Sequence, residues 1–422
     1  MTMNLWPCLT LAAALSVHAA DGAGCAERAR PADAFVDSIG VNVHLSYYDT
    51  AYNNFDGVIK PRLIESGIRH VRDGCPEIGH APFQQRMLNL AQSGIKTMVI
   101  CYPHGGAGPA ADAVPALKRV LPALEAIEGP NETDGFGISY KGVKFPEATR
   151  AFQDELFQAA KADAELAKFP VVMASISDPE KAPRLGRLES ADFANTHSYA
   201  GGGPPGFRWN WYMARCLTNC QRPVIASETG YHNAVNHNDG FWMPGVSAAA
   251  AGRYLPRLLA EYFDRGIVRT YIYELLDLRD QPAVAESNFG ILRHDGTPKP
   301  AFTAIKNLIA LLKDPGPSFE PGTLDFSIHA DDQPVRHLLL QRRDGHFFLL
   351  LWINTDSYDL AAKKDLHFGA RPTRLIFAHP IRSASIYLPL DGTQASVSFG
   401  PCSEITVNVP DHVMVVELAT KP

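Results

Sequence analysis

Two periodicities divide the chain. Over its first three quarters, short runs of β-branched and aliphatic residues alternate with longer stretches whose apolar residues fall three or four positions apart. Ile39 to Leu45 (I-G-V-N-V-H-L) is the first run, continuous enough for a strand covered on both faces. Ile68 to Arg72, Ile95 to Tyr102, the run opening at Leu124, Phe169 to Ile176, Ala191 to Tyr199, Arg222 to Glu228 and Val268 to Leu276 follow it. Helical spacing covers Val58 to Ser66, Pro82 to Ser93, Ala111 to Leu121, Pro146 to Leu166, Lys181 to Leu188, Ser247 to Arg265 and Pro300 to Leu312. Gly67, Gly94 and Gly266 stand where helices stop. A loop rich in glycine and aromatics, with Trp209 and Trp211, is expected between the sixth and seventh strands.

Eight strands alternating with helices call for parallel pairing through right-handed crossovers. Closure into a (β/α)8 TIM barrel over 36–313 is the expected α/β fold. An open doubly wound sheet would want a glycine-rich phosphate loop after strand one, and His44-Leu45-Ser46-Tyr47 is not one. At Pro315-Gly316 and Pro321-Gly322 the pattern changes to short strands separated by turns such as Arg343-Asp344-Gly345 and Asp391-Gly392. An all-β sandwich over 324–422 is expected there, and Trp352, which lies in an apolar run, reads as core.

Composition narrows the function classes. The 422 residues are 46% hydrophobic with a net charge of −6, and no Lys/Arg stripe appears, so no nucleic-acid partner is expected. No later segment is long and apolar enough for a membrane span, and no pattern specifies an oligomer. Residues 1–20 read as a signal peptide: Leu9 to Val17 is a short apolar stretch, and small residues flank His18. The expected location is periplasmic or secreted. Loss of that segment removes Cys8 and leaves Cys25, Cys75, Cys101, Cys216, Cys220 and Cys402, an even set that permits a disulfide bond after export.

The chemistry gathers at strand ends. The fourth strand stops at Gly129-Pro130 and presents Asn131 and Glu132; the seventh ends in Glu228. The carboxyl tips of barrel strands are where such folds place their reacting groups. Cleaving a glycosidic bond with retention needs two carboxyls roughly 5 Å apart, one protonated and one ionised. Arg72, at the tip of strand two, is the cation expected to keep Glu228 ionised, with a tyrosine hydroxyl from strand six as a second donor. Asn131 is placed to bind a substrate hydroxyl beside the reacting carbon. His104, His197 and His232 lack metal-ligand spacing, and neither a metal nor a cofactor is expected.

With Asn131-Glu132, Ser227-Glu228-Thr229-Gly230, Arg72, His197-Ser198-Tyr199 and the stretch Ser287-Asn288-Phe289-Gly290 to Gly296-Thr297-Pro298-Lys299-Pro300, the chain resembles clan A (4/7) retaining glycoside hydrolases. It is similar to family 39 and related exopolysaccharide-cleaving enzymes. The resemblance implies a carbohydrate substrate, Glu132 as acid/base and Glu228 as nucleophile. Substrate contacts are expected from Asn131, Arg72, His104, His197, Tyr199, Tyr231, Tyr273 and Glu274. Many members carry a Trp platform on strand eight, where Tyr273-Glu274 stand here. The alternative from another class is a non-catalytic carbohydrate-binding protein on a degenerate barrel.

Overall fold

A computed structural model describes residues 25–76, 80–103, 110–331 and 335–420. The described residues form an eight-stranded parallel barrel with a four-stranded sheet, a six-stranded sheet and a two-stranded hairpin packed beside it. In order the barrel strands are Ile39–Asn42, His70–Gly74, Lys96–Ile100, Leu124–Glu128, Val171–Val172, Ala194–His197, Val224–Thr229 and Arg269–Ile272. Strand one pairs with strands two and eight. The ring closes between strands five and six through the Val172–Phe193 bridge and the Met173 N–H to Phe193 carbonyl bond of 2.9 Å.

Side chains fill the barrel in layers. A thin apolar layer of Met98, Ala126, Val172, Ile225 and Tyr271 crosses its middle. Gly40 is glycine because a β-carbon there would lie 2.5 Å from the Tyr271 ring. Below this layer, His70, Arg269 and Tyr271 converge on the buried Glu125 carboxylate at 2.7, 3.1 and 3.0 Å. Above it, a second buried polar layer forms the floor of the mouth.

The connection after strand six differs from the expected loop: Trp209–Asn219 is a helix that buries Tyr212, Cys216 and Asn219. Trp209 packs edge-on against Tyr262, and Trp211 Nε1–H donates to Glu180 Oε1 at 2.6 Å. Strand five shrinks from Phe169–Ile176 to Val171–Val172. Beyond Met173 the backbone leaves the ladder, as Ala174 N–H donates to Gln153 Oε1 and Ser175 N–H to the Pro130 carbonyl.

The two antiparallel sheets share one apolar core, which includes Phe326, Leu349, Leu375, Val407 and Val416. The polar leader before the barrel contributes to both. Cys25–Arg28 pairs antiparallel with Thr323–Ala330, and Arg30–Pro31 lies parallel to Val335–Gln341 as an edge strand, where proline is tolerated. Trp352 is buried as expected. The helix Ala248–Asp264 is buried over most of its length between barrel and sandwich. Its Arg257 donates to the carbonyls of Thr355 and Asp411, both at 3.0 Å, and Arg253 to Asp411 Oδ2 at 3.0 Å. No helix among the described residues is long and apolar enough to cross a membrane.

No disulfide joins the described cysteines: Cys75, Cys101, Cys216, Cys220 and Cys402 are free thiols. Cys216 directs its thiol to the Asn195 carbonyl at 3.2 Å, away from the pairing with Cys220 that their spacing allowed. Cys101 lies against Cys75, and that contact together with burial pushes the Cys101 thiol well above its ordinary value.

Candidate active site

Arg72 organises the mouth. It is 2% exposed, and all five of its N–H groups have acceptors. Nε and Nη2 clasp the two oxygens of Glu128 at 2.6 and 2.8 Å. Nη1 donates to Asn42 Oδ1 at 2.8 Å and Glu228 Oε1 at 2.6 Å, and Nη2 reaches Asn131 Oδ1 at 2.7 Å. A guanidinium has the planar fork that such an array needs. Burial alone would lower its pKa, but the charges of Glu128 and Glu228 outweigh burial and raise it, so the cation is permanent.

Glu228 ends the buried strand Val224–Thr229. Besides Arg72 it accepts from the Tyr199 hydroxyl at 2.9 Å, and His197 Nδ1 lies 3.4 Å from Oε2. Burial pushes its pKa up; the charges of His197 and Arg72 and the hydrogen bonds from Arg72 and Tyr199 pull harder and leave it below the usual carboxylate range. Tyr199 moves the other way: burial, then the charge of Glu228, raise its hydroxyl well above the ordinary value, so it stays a donor.

Glu132 arrives from the opposite wall. Its backbone takes a left-handed conformation, φ 45° and ψ 39°, uncommon for a residue with a side chain and a recurrent feature of functional sites. Its N–H donates to Ser175 Oγ at 3.1 Å. Its carboxyl Oε1 lies 2.6 Å from His197 Nδ1. One side-chain oxygen from each of Glu132 and Glu228, and one nitrogen of His197, all fall within 4.8 Å of one another. Such a trio has donors for a metal ion, but Arg72 already occupies Glu228 Oε1 with a fixed positive charge.

The network fixes the proton on His197. Ser227 Oγ–H donates to Glu128 Oε1 at 3.1 Å, because a carboxylate can only accept. The Ser227 oxygen must then accept from His197 Nε2–H, 2.9 Å away. Nδ1 is left facing Glu132, and a further proton lies between those two atoms. Burial lowers the His197 pKa, while the charges of Glu228 and Glu132 raise it to a net increase.

The remaining expected site residues divide. The Asn131 oxygen accepts from Arg72 and from Ser175 Oγ at 3.0 Å, which leaves its amide NH2 as the end open to the mouth. Tyr273 is half-buried; its ring meets His44 and Phe289 edge-on, and its hydroxyl donates to Glu286. The Tyr273–Glu274 peptide bond is cis. Glu274 is wholly buried: Oε2 accepts from the Tyr52 hydroxyl at 3.0 Å and lies 3.1 Å from His44 Nε2. Tyr231 also faces inward, donating to the Gly203 carbonyl at 3.0 Å and stacking on Tyr254, outside the cluster. His104 lies outside the described residues.

Sequence reasoning passed over Glu128, Asn42, Asn195, Ser175, Ser227, His44 and Glu286. Glu128 is the anchor among them, with Asn195 Nδ2 as a further donor at 2.9 Å. His44 stacks on Tyr47 at 4.4 Å. Glu286 has its pKa pushed up to about 7 by burial and by the charges of Glu274 and Glu228.

No protein-family model matches the sequence, and no curated protein matches it. Solved structures do. A family 39 glycoside hydrolase from Bacteroides cellulosilyticus WH2 superposes with a TM-score of 0.60 and 14% identity, covering 92% of this chain and 81% of the other. A glucosidase from Croceicoccus marinus gives a TM-score of 0.58 and 12% identity, covering 87% of this chain and 93% of the other. At such identities the likeness is one of fold: this chain is built as these barrel glycoside hydrolases are built.

Proposed function

We propose that the protein is a retaining glycoside hydrolase acting by double displacement, with Glu228 as nucleophile and Glu132 as acid/base. One observation carries this reading: carboxyl oxygens from the tips of strands four and seven approach within 4.8 Å across the mouth, the spacing of a retaining pair. The environments support the division of labour. Arg72, Tyr199 and His197 all favour the charged form of Glu228, as a nucleophile requires. Glu132 Oε1 lies 2.6 Å from His197 Nδ1 and, unlike Glu228, makes no contact with Arg72.

In the first step a Glu228 oxygen attacks the anomeric carbon while the bond to the leaving oxygen breaks and Glu132 gives that oxygen a proton. The product is a glycosyl ester on Glu228. In the second step Glu132 takes a proton from water, the water oxygen attacks the same carbon, and the ester bond breaks. The Asn131 amide is placed to donate to the neighbouring sugar hydroxyl, a bond that strengthens as charge develops on the ring.

We assign 36–313 to a catalytic barrel and 324–422, completed by the strands at Cys25–Arg28 and Arg30–Pro31, to an accessory sandwich. Export is proposed from the Leu9 to Val17 stretch, and the mature N-terminus, read by mass spectrometry after periplasmic fractionation, checks it. The catalytic reading is tested on aryl glycosides and polysaccharides with wild type and Glu228→Gln. The wild type is expected to release sugar with the anomeric configuration retained, followed by NMR, and the variant to release none. Inverted product, or equal rates from the two proteins, would refute it.

A further inference from the structure

Among the described residues, Phe207 and Trp242 are large apolar side chains left mostly open to solvent, at 65% and 58% exposure. Phe207 stands on the loop after strand six and Trp242 on the loop after strand seven, the two strands that carry Tyr199 and Glu228 to the mouth. The Arg208 guanidinium lies 5.9 Å from each ring centroid and joins them into one surface. Rings that contribute nothing to a core present flat apolar faces of the kind on which sugar C–H faces stack, and the guanidinium supplies donors for hydroxyls at their edge.

This surface is continuous with the carboxylates. Trp242 contacts Phe241 at 6.2 Å, Phe241 contacts Phe289 at 5.9 Å, and Phe289 contacts Tyr199 at 6.0 Å, whose hydroxyl bonds Glu228. Three ring-to-ring steps exceed one sugar unit. The wall is also braced. Tyr231 ties the two loops through Gly203, which gives that residue a role in the absence of substrate contact. From outside, the hairpin Tyr358–Asp359 with Lys364–Asp365 leans on both loops. Leu360 fills the space at Gly202, where a β-carbon would meet it at 2.8 Å, and Lys363 Nζ donates to Asn236 at 2.9 Å. A platform held this firmly loses little freedom when a ligand settles on it.

We propose that Phe207, Arg208 and Trp242 form a distal glycan subsite that holds sugar units of a polysaccharide chain several residues from the bond that is cut. This rests on the glycosidase reading and deepens it: the substrate class is a polymer, and the accessory module stiffens the platform. The test uses the full chain with Glu228→Gln, which separates binding from turnover. Affinity electrophoresis is run through gels of xylan, galactomannan, carboxymethylcellulose and alginate. At least one polymer is expected to retard this protein, and adding Phe207→Ala with Trp242→Ala should weaken retardation at least tenfold. With Glu228 intact, the same double substitution should lower kcat/KM on that polymer at least tenfold more than on an aryl monosaccharide glycoside. Retardation that survives the double substitution, or equal losses on polymer and aryl glycoside, overturns the proposal. If no polymer is bound while aryl glycosides are hydrolysed, the distal subsite falls and the glycosidase reading stands. If the aryl glycosides are untouched as well, both fall.

Discussion

Replacing Arg72 with lysine keeps the charge and destroys the geometry. Lysine has three donors on one nitrogen, so at least two of the five hydrogen bonds vanish, and the two-pronged clasp on Glu128 cannot form. At about 1.5–3 kcal/mol for each bond involving a charged group, the expected loss is about 3–6 kcal/mol. The site is 2% exposed, so water does not make up the deficit. Against a total stability of about 5–15 kcal/mol for a folded protein, that is a large fraction. Equilibrium urea unfolding, followed by tryptophan fluorescence and by circular dichroism, should show the midpoint well below wild type. The material that stays folded reports on Glu228. A single ammonium cannot serve both carboxylates as the fork does, so the acid limb of the pH–rate profile, set by ionisation of Glu228, should move to higher pH. Arg72→Met goes further, leaving both Glu128 and Glu228 buried without their cation, at about 3–5 kcal/mol for each of the two ion pairs broken. A wild-type urea midpoint in Arg72→Lys would sink the claim that the guanidinium holds the floor of the mouth together.

Three other substitutions probe separate links. Tyr199→Phe removes one donor to Glu228; kcat/KM should fall about 10–100-fold, the equivalent of about 1.5–3 kcal/mol, and the acid limb should rise, so an unmoved limb counts against the assignment. Asp73 is buried and its pKa is pushed from 3.8 up to about 7, chiefly by burial. Its folded value lies above its unfolded value, so its contribution to stability is complete below about pH 4 and is lost as pH rises through about 7. The stability advantage of wild type over Asp73→Asn should therefore shrink between about pH 4 and 7, by up to about 4 kcal/mol, and level off above that; a constant difference in urea melts would contradict this. Gly230→Ala places a β-carbon 2.3 Å from the Tyr273 carbonyl oxygen, backbone against backbone at the tips of strands seven and eight. The expected cost is about 1–3 kcal/mol in thermal or urea melts, with wild-type stability as the contrary result.

The barrel was legible because its strands are covered on both faces and therefore read as unbroken apolar runs between glycine-stopped helices. Strand five is shorter than its apolar run for a local reason: the N–H groups of Ala174 and Ser175 bond to Gln153 and Pro130 rather than to a ladder. The helix Trp209–Asn219 is not legible in the pattern because its buried face, Tyr212, Cys216 and Asn219, ends in a polar residue and follows a glycine-rich stretch. Thr323–Ala330 is readable from the alternation of Leu324, Phe326 and Ile328. The strands at Cys25–Arg28 and Arg30–Pro31 were not readable, since two to four polar residues become strands only where a distant sheet offers an edge.

The same logic separates what could be seen in the site from what could not. Glu132 and Glu228 announce themselves by standing just where apolar runs end. Asn42, Asn195 and Ser227 sit inside such runs and Glu128 closes one just before Gly129-Pro130, and a strand pattern tolerates an occasional polar residue without assigning it a partner. Buried polar groups must find partners, so each of these four implied another, but only closure of the ring says which. Once it closes, the chain of consequence is short. Glu128 clasps Arg72 and takes the Ser227 hydrogen. Ser227 then requires the Nε2–H of His197. His197 turns Nδ1 toward Glu132, the residue proposed as acid/base. A buried carboxylate at the floor of the mouth thus sets, through a serine, which nitrogen of that histidine faces Glu132.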